Sequence, residues 1–149
     1  MVSSRKFTVP ATAALTCLMA VGCSSGNDPF ARLPNRPPII VKDSLTWMNA
    51  ETMSWGDKVI QWGVEYKYSV RAIDPDVGDK VAKYFWRFGG DAETAIADPR
   101  NRPEPTDVPT IGHIFLAGDV GIVSVKASDG QMIGPEVSFP VPLPEEPEE

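Results

Sequence analysis

The chain has 149 residues, 42% hydrophobic and 23% charged, enough for one globular domain and too apolar for wholesale disorder. With 14 Lys and Arg against 20 Asp and Glu the formal charge is −6, which argues against the basic footprint of a nucleic-acid-binding protein. A single His and two Cys leave too few ligands for a His/Cys metal centre and few routes to nucleophilic catalysis.

In chain order, Arg5 and Lys6 come first, followed by an uncharged, largely apolar stretch from Phe7 to Val21. It is short for a bilayer span and has the form of an export signal. It ends Leu18-Met19-Ala20-Val21-Gly22-Cys23. Small residues directly before a cysteine resemble a bacterial lipobox. In that motif the thiol takes a diacylglycerol, the signal is cut just before the cysteine, and the new N-terminus is acylated. Residues 1–22 therefore read as a lipoprotein signal and Cys23 as the lipid-attachment site. Ser24 after it resembles the sorting of lipoproteins to a Gram-negative outer membrane. Cleavage removes Arg5 and Lys6, taking the charge from −6 to −8, and also removes Cys17. With Cys23 lipidated, the exported domain has no disulfide and depends on its core.

Residues 23–36 are rich in Ser, Gly, Asn, Asp and Pro, the composition of a flexible tether. Residues 37–142 carry period-two patterning. Ile39-Ile40-Val41 is the expected first strand, and residues 46–63 hold a short strand or an irregular loop. In residues 65–72, Tyr66, Tyr68, Val70 and Ala72 share one side and Glu65, Lys67, Ser69 and Arg71 the other, a half-buried strand. Ala82, Tyr84, Trp86 and Phe88 form a second stripe opposite Lys83 and Arg87. Residues 92–107 are polar and undecided, and 112–116 make another strand. Val123, Val125 and Ala127 oppose Ser124 and Lys126. Val137, Phe139 and Val141 alternate on a strand carrying Pro140 and Pro142, which belongs at a sheet edge because proline lacks the ladder donor. Turns fall at Asp74-Pro75-Asp76-Val77-Gly78-Asp79, Gly89-Gly90-Asp91, Gly118-Asp119 and Asp129-Gly130. Residues 143–149 are an acidic Pro/Glu tail with little to bury, expected to be disordered. Short strands separated by turns, with no helical stripe of useful length, predict an all-β antiparallel sandwich.

Tyr84, Trp86-Arg87-Phe88-Gly89-Gly90-Asp91, then His113-Ile114-Phe115 and Gly121-Ile122-Val123-Ser124-Val125, resemble the signatures of polycystic kidney disease (PKD) domains. Asn35-Arg36-Pro37-Pro38 resembles the opening of such domains. The acidic turn from Asp74 to Asp79 and Ser128-Asp129-Gly130 are similar to PKD-like and cadherin-like bacterial modules. Arg87 stands where that family has Asp, and Val123 where Tyr is usual. The resemblance spans residues 35–142. It implies an immunoglobulin-like fold in an extracellular, non-catalytic module for spacing or for binding proteins and glycans, with Trp86 in its core and His113 a structural strand residue.

Three sets of residues are candidates for chemistry. Asp74, Asp76, Asp79 and Asp129 are hard oxygen donors on loops, the type calcium takes. Their spacing is not that of an EF-hand, and Asx-type turn capping around Pro75 is the preferred reading, so no cofactor is expected. Trp47, Trp55 and Trp62 could stack on sugars or anchor a partner, although burial is the better expectation for any one of them. His113 has no evident nucleophile or orienting acid. The expected function is a non-enzymatic lipoprotein of the cell envelope, attached to the outer membrane and engaging other envelope proteins. The alternatives are a polysaccharide- or peptidoglycan-binding module and a calcium-dependent adhesion module.

Overall fold

The computed structural model describes residues 33–90 and 97–145. The elements all lie in the unit Pro34–Glu149. Among the described residues eight strands follow in order: β1 (Ile39–Ile40), β2 (Thr46–Asn49), β3 (Glu65–Ser69), β4 (Ala72–Ile73), β5 (Lys83–Phe88), β6 (Thr110–Ile114), β7 (Ile122–Ser128) and β8 (Val137–Pro140). A 3-10 turn, Pro99–Asn101, lies between β5 and β6. The described residues are almost entirely β, and every pairing among them is antiparallel: β1-β4, β2-β3-β6 and β5-β7-β8.

The first ladder is interrupted where residues 65–72 read as one continuous strand. Ile40 pairs with Ala72 and Thr46 with Ser69, so five residues of one strand face two of the other. The excess is absorbed by a bulge in which Asp43 takes a left-handed φ of 59°. The Ser44 hydroxyl holds it, donating to Val41 O at 2.6 Å and accepting from the Arg71 N–H at 3.0 Å. Val41 N–H still donates to Arg71 O at 2.8 Å, so the two ladders stay joined.

The inward stripes meet in a shared core. Tyr66, Tyr68 and Val70 come from the first layer; Tyr84, Trp86, Phe88, Val123, Val125 and Ala127 come from the second. Phe115 packs between them, with ring centroids 6.1 Å from Tyr68 and 5.9 Å from Phe88, while Tyr68 and Phe88 are 5.7 Å apart. The edge-to-face arrangement joins the two three-stranded sheets in a sandwich-like packing.

Residues 46–63 form β2 and then a loop. Met48 bridges to Trp55, and Ile60 is fully buried, its N–H donating to Pro142 O at 2.8 Å. Among the described residues β8 pairs only with β7, so Pro140 sits on an edge strand, where its missing donor disrupts no ladder. Ser124, which alternates opposite the Val123, Val125 and Ala127 stripe, is nonetheless buried under Arg87 and Ser138, whose side chains it meets at 3.2 and 2.8 Å. Folded contacts begin within the expected tether, at Asn35 and Arg36, and extend to Leu143, which packs on the core. Cys23 and its signal, Asp91, most of the acidic tail and residues 92–96 lie outside the described residues.

Candidate functional site

The acidic turn follows β4. Asp74, Asp76 and Asp79 each place a carboxylate oxygen within 4.8 Å of the others. Asp74 Oδ1 accepts the Asp76 N–H at 2.9 Å, the Asx arrangement that Pro75 presets. Gly78 takes φ 92° and lets Asp79 N–H return to Asp76 O at 3.2 Å. The Asp76 carboxylate accepts from Arg36 twice, from the backbone N–H at 2.6 Å and from Nε at 2.8 Å, and Arg36 Nη2 reaches Pro75 O at 2.5 Å. These bonds hold the Asp76 carboxyl below its ordinary range. Asp129 accepts the N–H groups of Met132 and Gln131 and the Asn35 amide, each at 2.7 Å, and is likewise lowered.

The two turns thus clasp Asn35-Arg36, and the Arg36 guanidinium supplies beside Asp76 the positive charge a cation would bring. Calcium is therefore expected to raise the melting temperature no more than magnesium at equal ionic strength. A rise specific to calcium that disappears in Asp76→Asn refutes the turn-capping role, because ligation would add stability through mass action.

The three candidate tryptophans have different surroundings. Trp47, opposite Tyr68 across β2 and β3, packs partly against the core and donates Nε1–H to Asp57 O at 3.0 Å. Trp62 also packs partly against the core. Only Trp55 is exposed, at 61%. Trp86 is 2% exposed and donates Nε1–H to Thr106 Oγ1 at 2.8 Å.

His113 is enclosed. Its ring stacks on Phe88 at 3.7 Å with planes 5° apart and meets Phe115 edge-on at 4.8 Å. Burial is the main cause that pushes its pKa down to about 4, so at neutral pH the imidazole is uncharged.

A feature that core-directed patterning does not reveal lies on the opposite face of the second sheet. The strict alternation of β5 turns Tyr84, Trp86 and Phe88 inward and Lys83, Phe85 and Arg87 outward. Residues 102–106 fold back beside β5, fixed by Tyr84 N–H to Thr106 O at 2.8 Å and Thr106 N–H to Tyr84 O at 3.0 Å. Together with Ile133 and Glu136 they wall an open groove of about 750 Å³ over Phe85, Arg87 and Lys126. Arg87 lies along it, paired with Glu136 at 2.6 Å.

Comparison with protein-family models, curated proteins and solved structures finds no match to this chain.

Proposed function

We propose that the protein is a membrane-anchored lipoprotein of the cell envelope. Its one domain is immunoglobulin-like and PKD-like, and serves protein interaction or structural spacing without catalysis. The strand order supports the immunoglobulin-like part of this reading, and Cys23 behind its small-residue stretch the anchored part. β2-β3-β6 packed on β5-β7-β8 is compatible with an immunoglobulin sandwich, in which first, second and fifth strands face third, sixth and seventh. The position of Trp86 under that core agrees with the PKD-like signature. The chemistry-bearing side chains also have structural employment: His113 is sealed among aromatic rings and Asp76 is held by Arg36.

A glycan-binding reading has Trp55 as its one exposed ring, since Trp47 and Trp62 rest partly against the core. Calcium-dependent adhesion is the weaker alternative, because Arg36 already neutralises Asp76.

The anchor is tested directly. The mature protein is expected to begin at Cys23, carry the mass of a diacylglycerol and an amide-linked chain, and partition with membranes. Several acyl chains hold far more firmly than the marginal single chain. Cys23→Ala should release the protein or leave its signal uncut. An unmodified mature chain beginning elsewhere in an intact-mass measurement refutes the lipoprotein assignment.

A further inference from the structure

We propose that the groove on the outer face of β5 and β7 docks an extended, carboxylate-rich segment of a partner protein. This rests on the interaction-module reading and gives the partner a chemistry. Period-two geometry and register assemble the face. β5 sends Lys83, Phe85 and Arg87 outward, and β7 places Lys126 directly opposite Phe85. Arg102 adds a further cation from the flanking wall.

Three basic side chains, Arg87, Arg102 and Lys126, therefore line a groove on a chain whose overall charge is −6, with Glu104 and Glu136 as its acids, and Lys83 lies beyond the lining on the same outward side of β5. Glu136 is spent on Arg87, which it orients together with Ser124. Among the described residues, Lys83, Arg102 and Lys126 form no ion pair. Arg87 Nη1 is buried without a hydrogen-bond partner among the described residues. Uncompensated like charges repel, and an arriving set of carboxylates removes that cost while supplying complementarity.

The groove is not purely electrostatic. Phe85 forms its floor, half-buried on the outer face, and Pro103, Pro105 and Ile133 give it apolar walls. Outward residues of a strand recur about every 6.6 Å, which is also the repeat of same-side groups along an extended peptide. The outward ring and cation at Phe85 and Arg87, with Lys126 opposite Phe85 and Lys83 one repeat further along β5, thus match a segment whose acidic side chains alternate with proline or another apolar residue. The net negative charge of the whole chain disfavours a nucleic acid here.

The test uses full-length protein in neutral detergent and a fluorescein-labelled peptide, Glu-Pro-Glu-Glu-Pro-Glu-Glu-Pro, followed by anisotropy. Saturable binding is expected, weakening as salt rises. Lys126→Glu combined with Arg102→Glu should weaken it by about tenfold or more, because both side chains are exposed and their reversal turns attraction into repulsion. The double variant should keep the wild-type melting temperature. Phe85→Ala should weaken binding at unchanged salt dependence, since it removes contact area and no charge. Absence of saturable binding overturns the proposal, as does binding indifferent to the charge reversal. A polyuronate that binds as tightly as the peptide at matched charge also overturns it, by showing that the groove takes an anionic glycan. A chain lipidated at Cys23 that binds no peptide overturns the groove and leaves the anchor standing; a peptide-binding chain unmodified at Cys23 does the reverse.

Discussion

Trp86→Ala is expected to leave the protein largely unfolded or poorly produced at growth temperature. Trp86 is at the centre of β5, opposite Val125 of β7, and is 2% exposed. Truncating a buried Trp costs about 3–5 kcal/mol in transfer and cavity terms. That is a large part of the roughly 5–15 kcal/mol holding a typical domain together. A second loss adds to it. Trp86 Nε1–H donates to Thr106 Oγ1, and that hydroxyl in turn donates to Val108 O at 2.7 Å. Without the indole, the segment that walls the groove loses its side-chain tie to β5.

Trp86→Phe separates the two contributions. It keeps most of the ring volume and removes the hydrogen bond, so it should cost about 1 kcal/mol plus a small packing loss. In urea unfolding the Phe variant should show a modestly lower midpoint with unchanged slope, and the Ala variant a far lower midpoint. A Trp86→Ala protein that melts with the wild type places the indole on the surface and refutes the packing described for β5.

The stripes that build the core were legible because a half-buried strand repeats every two residues: Tyr66, Tyr68 and Val70, then Tyr84, Trp86 and Phe88, then Val123, Val125 and Ala127. Pro140 announced an edge strand for a comparably local reason. What stayed illegible depends on partners distant in sequence. The bulge at Asp43 exists because the Ser44 hydroxyl meets Arg71, 27 residues away. Ser124 alternates like a surface residue, yet Arg87 and Ser138 cover it from neighbouring strands.

The candidate sites divide along the same line. Turn capping by Asp74 is a contact two residues long and could be anticipated from Asp74-Pro75-Asp76. The Arg36 clasp on Asp76 spans 40 residues and could not. The groove is further still from sequence reasoning, because its wall forms only when Thr106 folds back to pair with Tyr84. Its sequence signal is limited to the outward alternation of Lys83, Phe85 and Arg87, which marks a solvent-facing side of β5 but not the wall that makes it a groove.

Acidification should destabilise the protein well before its carboxylates titrate, and His113 is the reason. In the unfolded chain a histidine takes up its proton near pH 6.5; in the folded protein burial against Phe88 and Phe115 holds His113 neutral down to about pH 4. Asp119 and Asp98 pull its pKa up and Arg100 pushes it down, all less than burial does. Between those two pH values the unfolded state binds more protons than the folded one, so stability is full above pH 6.5 and falls as pH drops toward 4. From neutrality to pH 5 the loss is about 2 kcal/mol, from a slope limited to about 1.4 kcal/mol per pH unit. Asp76, Asp98 and Asp129, each held below the ordinary carboxylate value of 3.8, lose their contributions only below that range. The two windows are therefore distinct. Thermal melts should show a decline between pH 7 and 5 that His113→Phe abolishes, because Phe preserves the aromatic stack and cannot take a proton. The variant should still decline below pH 4 with the aspartates. A wild-type melting temperature that is flat from pH 7 to 5 puts the imidazole in contact with water and removes it from the core.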